Sequence, residues 1–134
     1  MKFSIVANPK HPKVKKILTK VIGFVDDFDI EEESAKIVGL EGNPIDKLEG
    51  DIVISLGGDG TLLYILNKLN KPVFGINCGG VGFLTEIEHS EDLFSAIKKL
   101  ESKSYQIQKL DRIEAFLNDL HVGTALNEVV LHSS

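Results

Sequence analysis

A chain of 134 residues is the size of one ordinary domain, and a 43% share of hydrophobic residues is enough to give it a core. Its net charge of −5, from 20 acids and 15 bases, argues against a nucleic-acid groove, which needs a dense basic face; no run reaches the roughly 18 consecutive apolar residues of a membrane helix. The short apolar start, Phe3-Ser4-Ile5-Val6, does not make a signal peptide, and a lone Cys78 leaves no internal disulfide and no zinc cluster, so a cytoplasmic protein is expected.

Phe3, Ile5 and Val6 predict a strand that stops at Asn8-Pro9. Val14, Ile17, Leu18, Val21 and Ile22 then recur at i, i+3, i+4, i+7 and i+8, which puts one apolar stripe on a helix; Gly23 stands close to where a glycine would end it. The lysines at 10, 13, 15, 16 and 20 and the acids between 26 and 33 read as solvated surface. Residues 26–50 carry little pattern, with one short strand expected near 35–38. Asp51-Ile52-Val53-Ile54-Ser55-Leu56 is β-branched and apolar on both faces, as in a strand buried in a parallel sheet. A glycine-rich turn follows, then Leu62, Leu63, Ile65, Leu66 and Leu69 at helical spacing, ended by Asn70-Lys71-Pro72. Val73-Phe74-Gly75-Ile76 predicts another strand, opening into a second glycine-rich loop through Cys78 and Gly79 to Gly82 and Phe83. Ser90, with Glu91 and Asp92 behind it, predicts a capped helix with Leu93, Phe94, Ile97 and Leu100 on its apolar face.

This alternation predicts an α/β fold: a Rossmann-like parallel sheet domain over residues 1–101. Beyond it, alternation at Tyr105, Ile107 and Leu110 and strands at 112–117 and 121–131, with Asn118-Asp119 as a turn, predict the start of an antiparallel all-β domain over residues 102–134.

In an open parallel sheet, ligands bind beyond the carboxyl ends of the strands, and Gly57-Gly58-Asp59-Gly60-Thr61 stands at such an end. Glycines allow positive φ and close approach of a phosphate to the backbone, while successive N–H groups and a helix start attract anionic oxygens. No Walker lysine follows, and Leu63 breaks the G-x-G-x-x-G spacing. Asp59 is the odd member, since a carboxylate repels phosphate. It serves either as a helix N-cap or as a base or metal ligand beside the phosphates. The second loop, at the same sheet edge, suggests a shared cleft, with Phe83 either in the core or flat against a base. Asn127-Glu128, inside an apolar strand, needs either partners or an edge position. Cys78 has no positioned base and reads as a small buried thiol; His11, His121 and His132 show no metal-ligand spacing.

Three motifs in order, Gly57-Gly58-Asp59-Gly60-Thr61, then Gly75-Ile76-Asn77 with Gly82-Phe83-Leu84-Thr85, then Leu126-Asn127-Glu128-Val129-Val130, resemble the NAD kinase family. The first also occurs in lipid kinases and phosphofructokinases; the other two make the match specific. The resemblance implies phosphoryl transfer from ATP or polyphosphate to the 2′-hydroxyl of the adenosine ribose of NAD, giving NADP. It implies Asp59 as the catalytic group that takes the hydroxyl proton. Gly57, Gly58, Gly60 and Thr61 would then form the turn against the nucleotides, Gly60, Leu63 and Phe83 the NAD site, and Asn127 with Glu128 the grip on adenosine. Mg²⁺ would bridge the ATP phosphates, with no protein metal ligand assigned. Tyr64 departs from the arginine or histidine that many family members carry there, though a tyrosine can still hydrogen-bond or stack. Family chains are about twice as long, so the β domain is expected to be truncated, the 134-residue chain at most weakly active, and the full-length protein a homo-oligomer. Another kinase built on the same turn, or a non-catalytic nucleotide-binding fragment, are the alternative readings.

Overall fold

The computed structural model describes residues 1–78 and 93–102 with their side chains, and the backbone of strands at 87–88, 106–110, 113–117, 120–125 and 128–132. In chain order the elements are β1 (Phe3–Ala7), α1 (Val14–Phe24), β2 (Phe28–Ile30), α2 (Glu32–Val38), a 3₁₀ turn (Ile45–Lys47), β3 (Ile52–Gly57), α3 (Asp59–Lys68), β4 (Pro72–Asn77), β5 (Ile87–Glu88), α4 (Leu93–Glu101), β6 (Gln106–Leu110), β7 (Ile113–Leu117), β8 (Leu120–Ala125) and β9 (Glu128–His132). The sheet runs β2-β1-β3-β4-β9-β6, with β5 also on β4. Strands β2, β1, β3 and β4 are all parallel, so the α/β layer expected from the alternation is present. β9 pairs parallel with β4 and antiparallel with β6, while β7 and β8 pair antiparallel with each other.

Period-2 alternation along the central strands feeds two cores. Ile52, Ile54 and Leu56 of β3 face a cluster containing Phe3, Ile5, Phe74 and Ile76 and the stripes of α1 and α4, Leu18 and Ile97 among them. Val53 faces the other side, with Val6, Val73 and the stripe Leu62, Ile65, Leu66 and Leu69 of α3. The sheet is therefore covered on both faces, which is why β3 reads as an unbroken apolar run. Truncating one of these fully buried leucines to alanine costs about 2–5 kcal/mol.

Three expectations are corrected. The strand expected near 35–38 is helix α2. Its cap is Glu31, whose carboxylate accepts from Glu33 N at 2.8 Å and Ser34 N at 3.0 Å; Glu32 and Glu33 suit the dipole, and Gly39 ends it at φ 71°. α1 ends one residue past Gly23, at Phe24, close to where that glycine was expected to end it; Phe24 meets Phe94 edge-on, ring centroids 5.0 Å apart, and Val25 is buried just beyond. Phe94 covers Phe24 from outside and stays 49% exposed rather than joining the core. The run 121–131 is two strands: β8 pairs with β7 and β9 with β4 and β6, so the chain changes sheets between Ala125 and Glu128. Ser90, proposed as the cap of α4, lies outside the described residues.

Candidate active site

The carboxyl ends of β1, β3 and β4 are tied level. Asn8 N donates to Leu56 O at 2.9 Å and Cys78 N donates to Gly57 O at 3.0 Å. α3 rises directly from the end of β3, with Gly58 as its N-cap and Asp59 as its first residue. Asp59 is therefore not the cap. Gly58 has no side chain to serve, and the first intrahelical bond is Leu62 N to Gly58 O at 3.2 Å. Helix geometry leaves the amides before Leu62 without intrahelical acceptors, and these attract anions.

The glycines of the turn serve different ends. None has the left-handed φ expected of them; among the described residues only Gly39 does. Gly57 is required by packing, because an added Cβ would collide with Thr61 Oγ1 and come 2.9 Å from Thr61 Cβ. At Gly58 and Gly60 an added Cβ would meet nothing within 4 Å. The fold itself makes no steric demand for glycine there, and the space above them is open.

At 3.6 residues per turn, about 100° per residue, α3 separates its polar groups. Leu62, Ile65 and Leu66 are buried against the sheet. Asp59 and Leu63, one turn apart, lie on one flank of that stripe and Thr61 lies on the other, roughly 160° from Asp59. Gly60 and Tyr64 occupy the outward arc between them. Leu63 and Tyr64 are 40% and 49% exposed; Asp59 and Thr61 are half-buried. Leu63, read in the sequence among the apolar helix positions, thus stands on the exposed side of α3. Lys68 stands 5.9 Å from the centre of the Tyr64 ring.

A cleft of about 470 Å³ opens on the Thr61 flank, within the usual range for small-molecule sites. Gly60, Thr61 and Tyr64 form one wall, the end of β1 and the loop Asn8, Pro9, Lys10 another, and Glu31 and Glu33 the third. Sequence reasoning missed the last two walls. The loop is shaped by Asn8, whose Oδ1 accepts from Lys10 N at 3.0 Å, a local turn typical of this residue. Ser34 joins α2 to β1, accepting from Ala7 N at 2.8 Å and donating to Glu31 Oε1 at 2.7 Å. The signal available was Asn8-Pro9 itself: a turn directly after an apolar parallel strand, subject to the same edge rule as residues 57–61.

Ser55, on the α3 face of β3, has a buried hydroxyl with no hydrogen-bond partner. Burial pushes the Cys78 thiol up to about 11, consistent with a buried, unreactive thiol. Among the described residues no three His, Cys, Asp or Glu side chains gather to hold a metal, and no helix is long and apolar enough to cross a membrane. Phe83 and Asn127 lie outside the described residues, as does the side chain of Glu128, which opens β9.

Comparison with known proteins gives a consistent result. The ATP-NAD kinase N-terminal domain family matches residues 7–105. The NAD kinase of Thermoplasma volcanium is 41% identical over 103 residues, covering 77% of this chain and 38% of that protein. The NAD kinase of Thermoplasma acidophilum is 35% identical over 136 aligned residues, covering 99% and 50%. Yeast NADH kinase complexed with NADH superposes with a TM-score of 0.75 at 17% identity, covering 85% of this chain and 39% of that one. An NAD kinase from Archaeoglobus fulgidus in complex with ATP does so with a TM-score of 0.55 at 25% identity, covering 90% and 45%. The chain thus spans about half or less of the length of these relatives.

Proposed function

The chain belongs to the NAD kinase family, and on that premise we propose that it carries the catalytic turn of an NAD kinase, transferring a phosphoryl group from ATP or polyphosphate to the 2′-hydroxyl of the adenosine ribose of NAD. Asp59 would take the proton of the attacking hydroxyl. The ribose oxygen bonds to the terminal phosphorus, the bridge to the next phosphate breaks, and NADP and the shortened donor leave. A carboxylate is a weak base for an alcohol, so its help grows late in a loose transition state, when the hydroxyl is already losing its proton.

The observation that carries this reading is the open space over Gly58 and Gly60 on either side of Asp59. A substrate oxygen can approach the carboxylate there, and a phosphate can cross the helix start without meeting a Cβ. NAD would lie on the Asp59 and Leu63 flank, with Phe83 also lining its site and Asn127 and Glu128 gripping its adenosine part, as the family resemblance implies. Tyr64, on the arc between the flanks, would stack or hydrogen-bond where other members carry a basic residue. Mg²⁺ enters as part of the donor complex. Cytoplasmic location, the division at residues 101 and 102, and self-association of the full-length protein belong to the same proposal.

Titration calorimetry with NAD and with MgATP, beside an assay for NADP formation, tests the reading. Asp59→Asn is expected to lower the rate about 10²–10⁴-fold, the usual worth of a general base. An unchanged rate would remove Asp59 from the chemistry, and binding of both nucleotides without turnover would make the chain a nucleotide-binding module.

A further inference from the structure

The reading above leaves the seat of the phosphoryl donor open, and the cleft on the Thr61 flank is the place that fits it. Among the described residues Lys10 is its one cationic lining residue. Its ammonium makes no hydrogen bond or ion pair with any described residue, although its backbone is held by Asn8 Oδ1 at 3.0 Å. Asn8 is itself anchored to the end of β3 through Leu56 O at 2.9 Å. The two acidic groups of the cleft are already engaged. Both carboxylate oxygens of Glu31 accept from the first turn of α2, and Glu33 pairs with Lys36 at 3.1 Å. Lys10 is therefore the lining charge without a side-chain partner among the described residues, in a cleft that also presents the hydroxyl of Thr61 and the bare backbone of Gly60.

We propose that Lys10 holds the linear phosphate chain of the phosphoryl donor in this cleft, a contact that lies outside the Gly57 to Thr61 turn. The proposal rests on the kinase reading. The chain of phosphates would run from Lys10 past Thr61 and over Gly60 toward the Asp59 flank. Glu31 and Glu33 keep their negative charges although they are hydrogen-bonded or paired, so they disfavour phosphate beside them and can accept hydrogen bonds from sugar hydroxyls. The phosphates therefore belong beside Lys10 and any nucleoside beside Glu31 and Glu33. A charge-assisted contact of an exposed lysine is worth about tenfold in affinity.

The test titrates MgATP, inorganic tripolyphosphate with Mg²⁺, and NAD, each separately, into the protein and its Lys10→Ala and Lys10→Arg variants. Lys10→Ala is expected to bind both phosphate ligands about tenfold more weakly, to bind NAD as before, and to keep its melting temperature. Lys10→Arg is expected to stay within about threefold of the parent, because charge at that position is what is needed. Tighter binding of ATP than of tripolyphosphate would mark the Glu31 and Glu33 end as the sugar seat; equal binding would mean that the phosphates alone are held there. Unchanged phosphate affinity in Lys10→Ala, or no binding of either ligand to the parent, overturns the proposal. If NAD fails to bind and no NADP forms while triphosphate affinity still follows Lys10, the kinase reading falls and the phosphate site stands. If NADP forms but ATP binding ignores Lys10, only the present inference falls.

Discussion

Gly57 and Gly60 belong to one five-residue turn, yet the structure gives them opposite reasons to be glycine. Alanine at 57 would press its Cβ against Thr61 Oγ1, 2.9 Å from Thr61 Cβ and 3.4 Å from Asn8 Cβ. Thr61 Cβ is fixed to the helix backbone and no side-chain rotation relieves it, so α3 must shift. Overpacking of this kind costs about 1–3 kcal/mol; about 2 kcal/mol corresponds to roughly 6–10 °C in melting temperature for a domain of this size. Alanine at 60 meets nothing within 4 Å and stands in the first turn of α3, where it is favoured over glycine by up to about 1 kcal/mol. Gly60→Ala is therefore expected to melt at or slightly above the parent temperature. Its methyl group, however, enters the space that the phosphates would cross, and MgATP affinity is expected to fall by about tenfold or more. Thermal melts and calorimetric titration of both variants separate the two roles. The reasoning fails if Gly60→Ala is destabilised as much as Gly57→Ala, or if it binds MgATP like the parent.

Two further outcomes follow from the buried groups of the sheet. Burial raises the Cys78 thiol from 9.0 to about 11, so between those values the unfolded chain ionises while the folded one does not. The stability that the neutral thiol contributes is fully present below about 9 and is lost as pH rises toward 11. Cys78→Ala should flatten the fall in melting temperature across that window, and a slope identical to that of the parent would contradict it. The hydroxyl of Ser55, buried without a partner, is a net cost. Ser55→Ala should raise stability by about 1 kcal/mol in urea titrations, and a loss of that size would mean the hydroxyl is satisfied in solution.

What the sequence revealed follows from how each element is stabilised. β1, α1, β3, α3 and β4 are held by burial of regular apolar patterns, and such patterns are written in the residues themselves. α2 is held by a cap. Glu31 is not among the favoured capping residues, Ile37-Val38 suggests a strand, and only Gly39 pointed the other way. β2 is three residues long, too short for a period to register. The turn at 57–61 was legible because glycines at the end of an apolar strand are rare without a reason. The Lys10 wall was not, because it depends on β1 lying beside β3 and on α2 reaching back to Ala7 through Ser34, both long-range facts. The break between β8 and β9 was hidden for a related cause: apolar residues continue on both sides of it while the pairing partner changes.

The same helix geometry answers the objection that a carboxylate has no place in a phosphate-binding turn. Asp59 and Thr61 are two residues apart, but around the axis of α3 they are separated by roughly 160°, with the buried stripe between them. On the proposed reading the carboxylate would face the acceptor flank while the phosphates would lie across the cleft. This makes the position of the charge testable apart from its presence. Asp59→Asn removes the charge from the acceptor flank and should change MgATP affinity by less than about threefold. Exchanging the pair, Asp59→Gly with Gly60→Asp, keeps the net charge but turns the carboxylate onto the arc that lines the cleft. A like charge within a few ångströms of a phosphate at a protein surface costs on the order of 1–4 kcal/mol, so the exchanged variant should bind MgATP at least tenfold more weakly than Asp59→Asn. Equal affinity of the two variants would mean that donor and carboxylate do not occupy separate flanks, and the division of α3 into an acceptor side and a donor side would have to be abandoned.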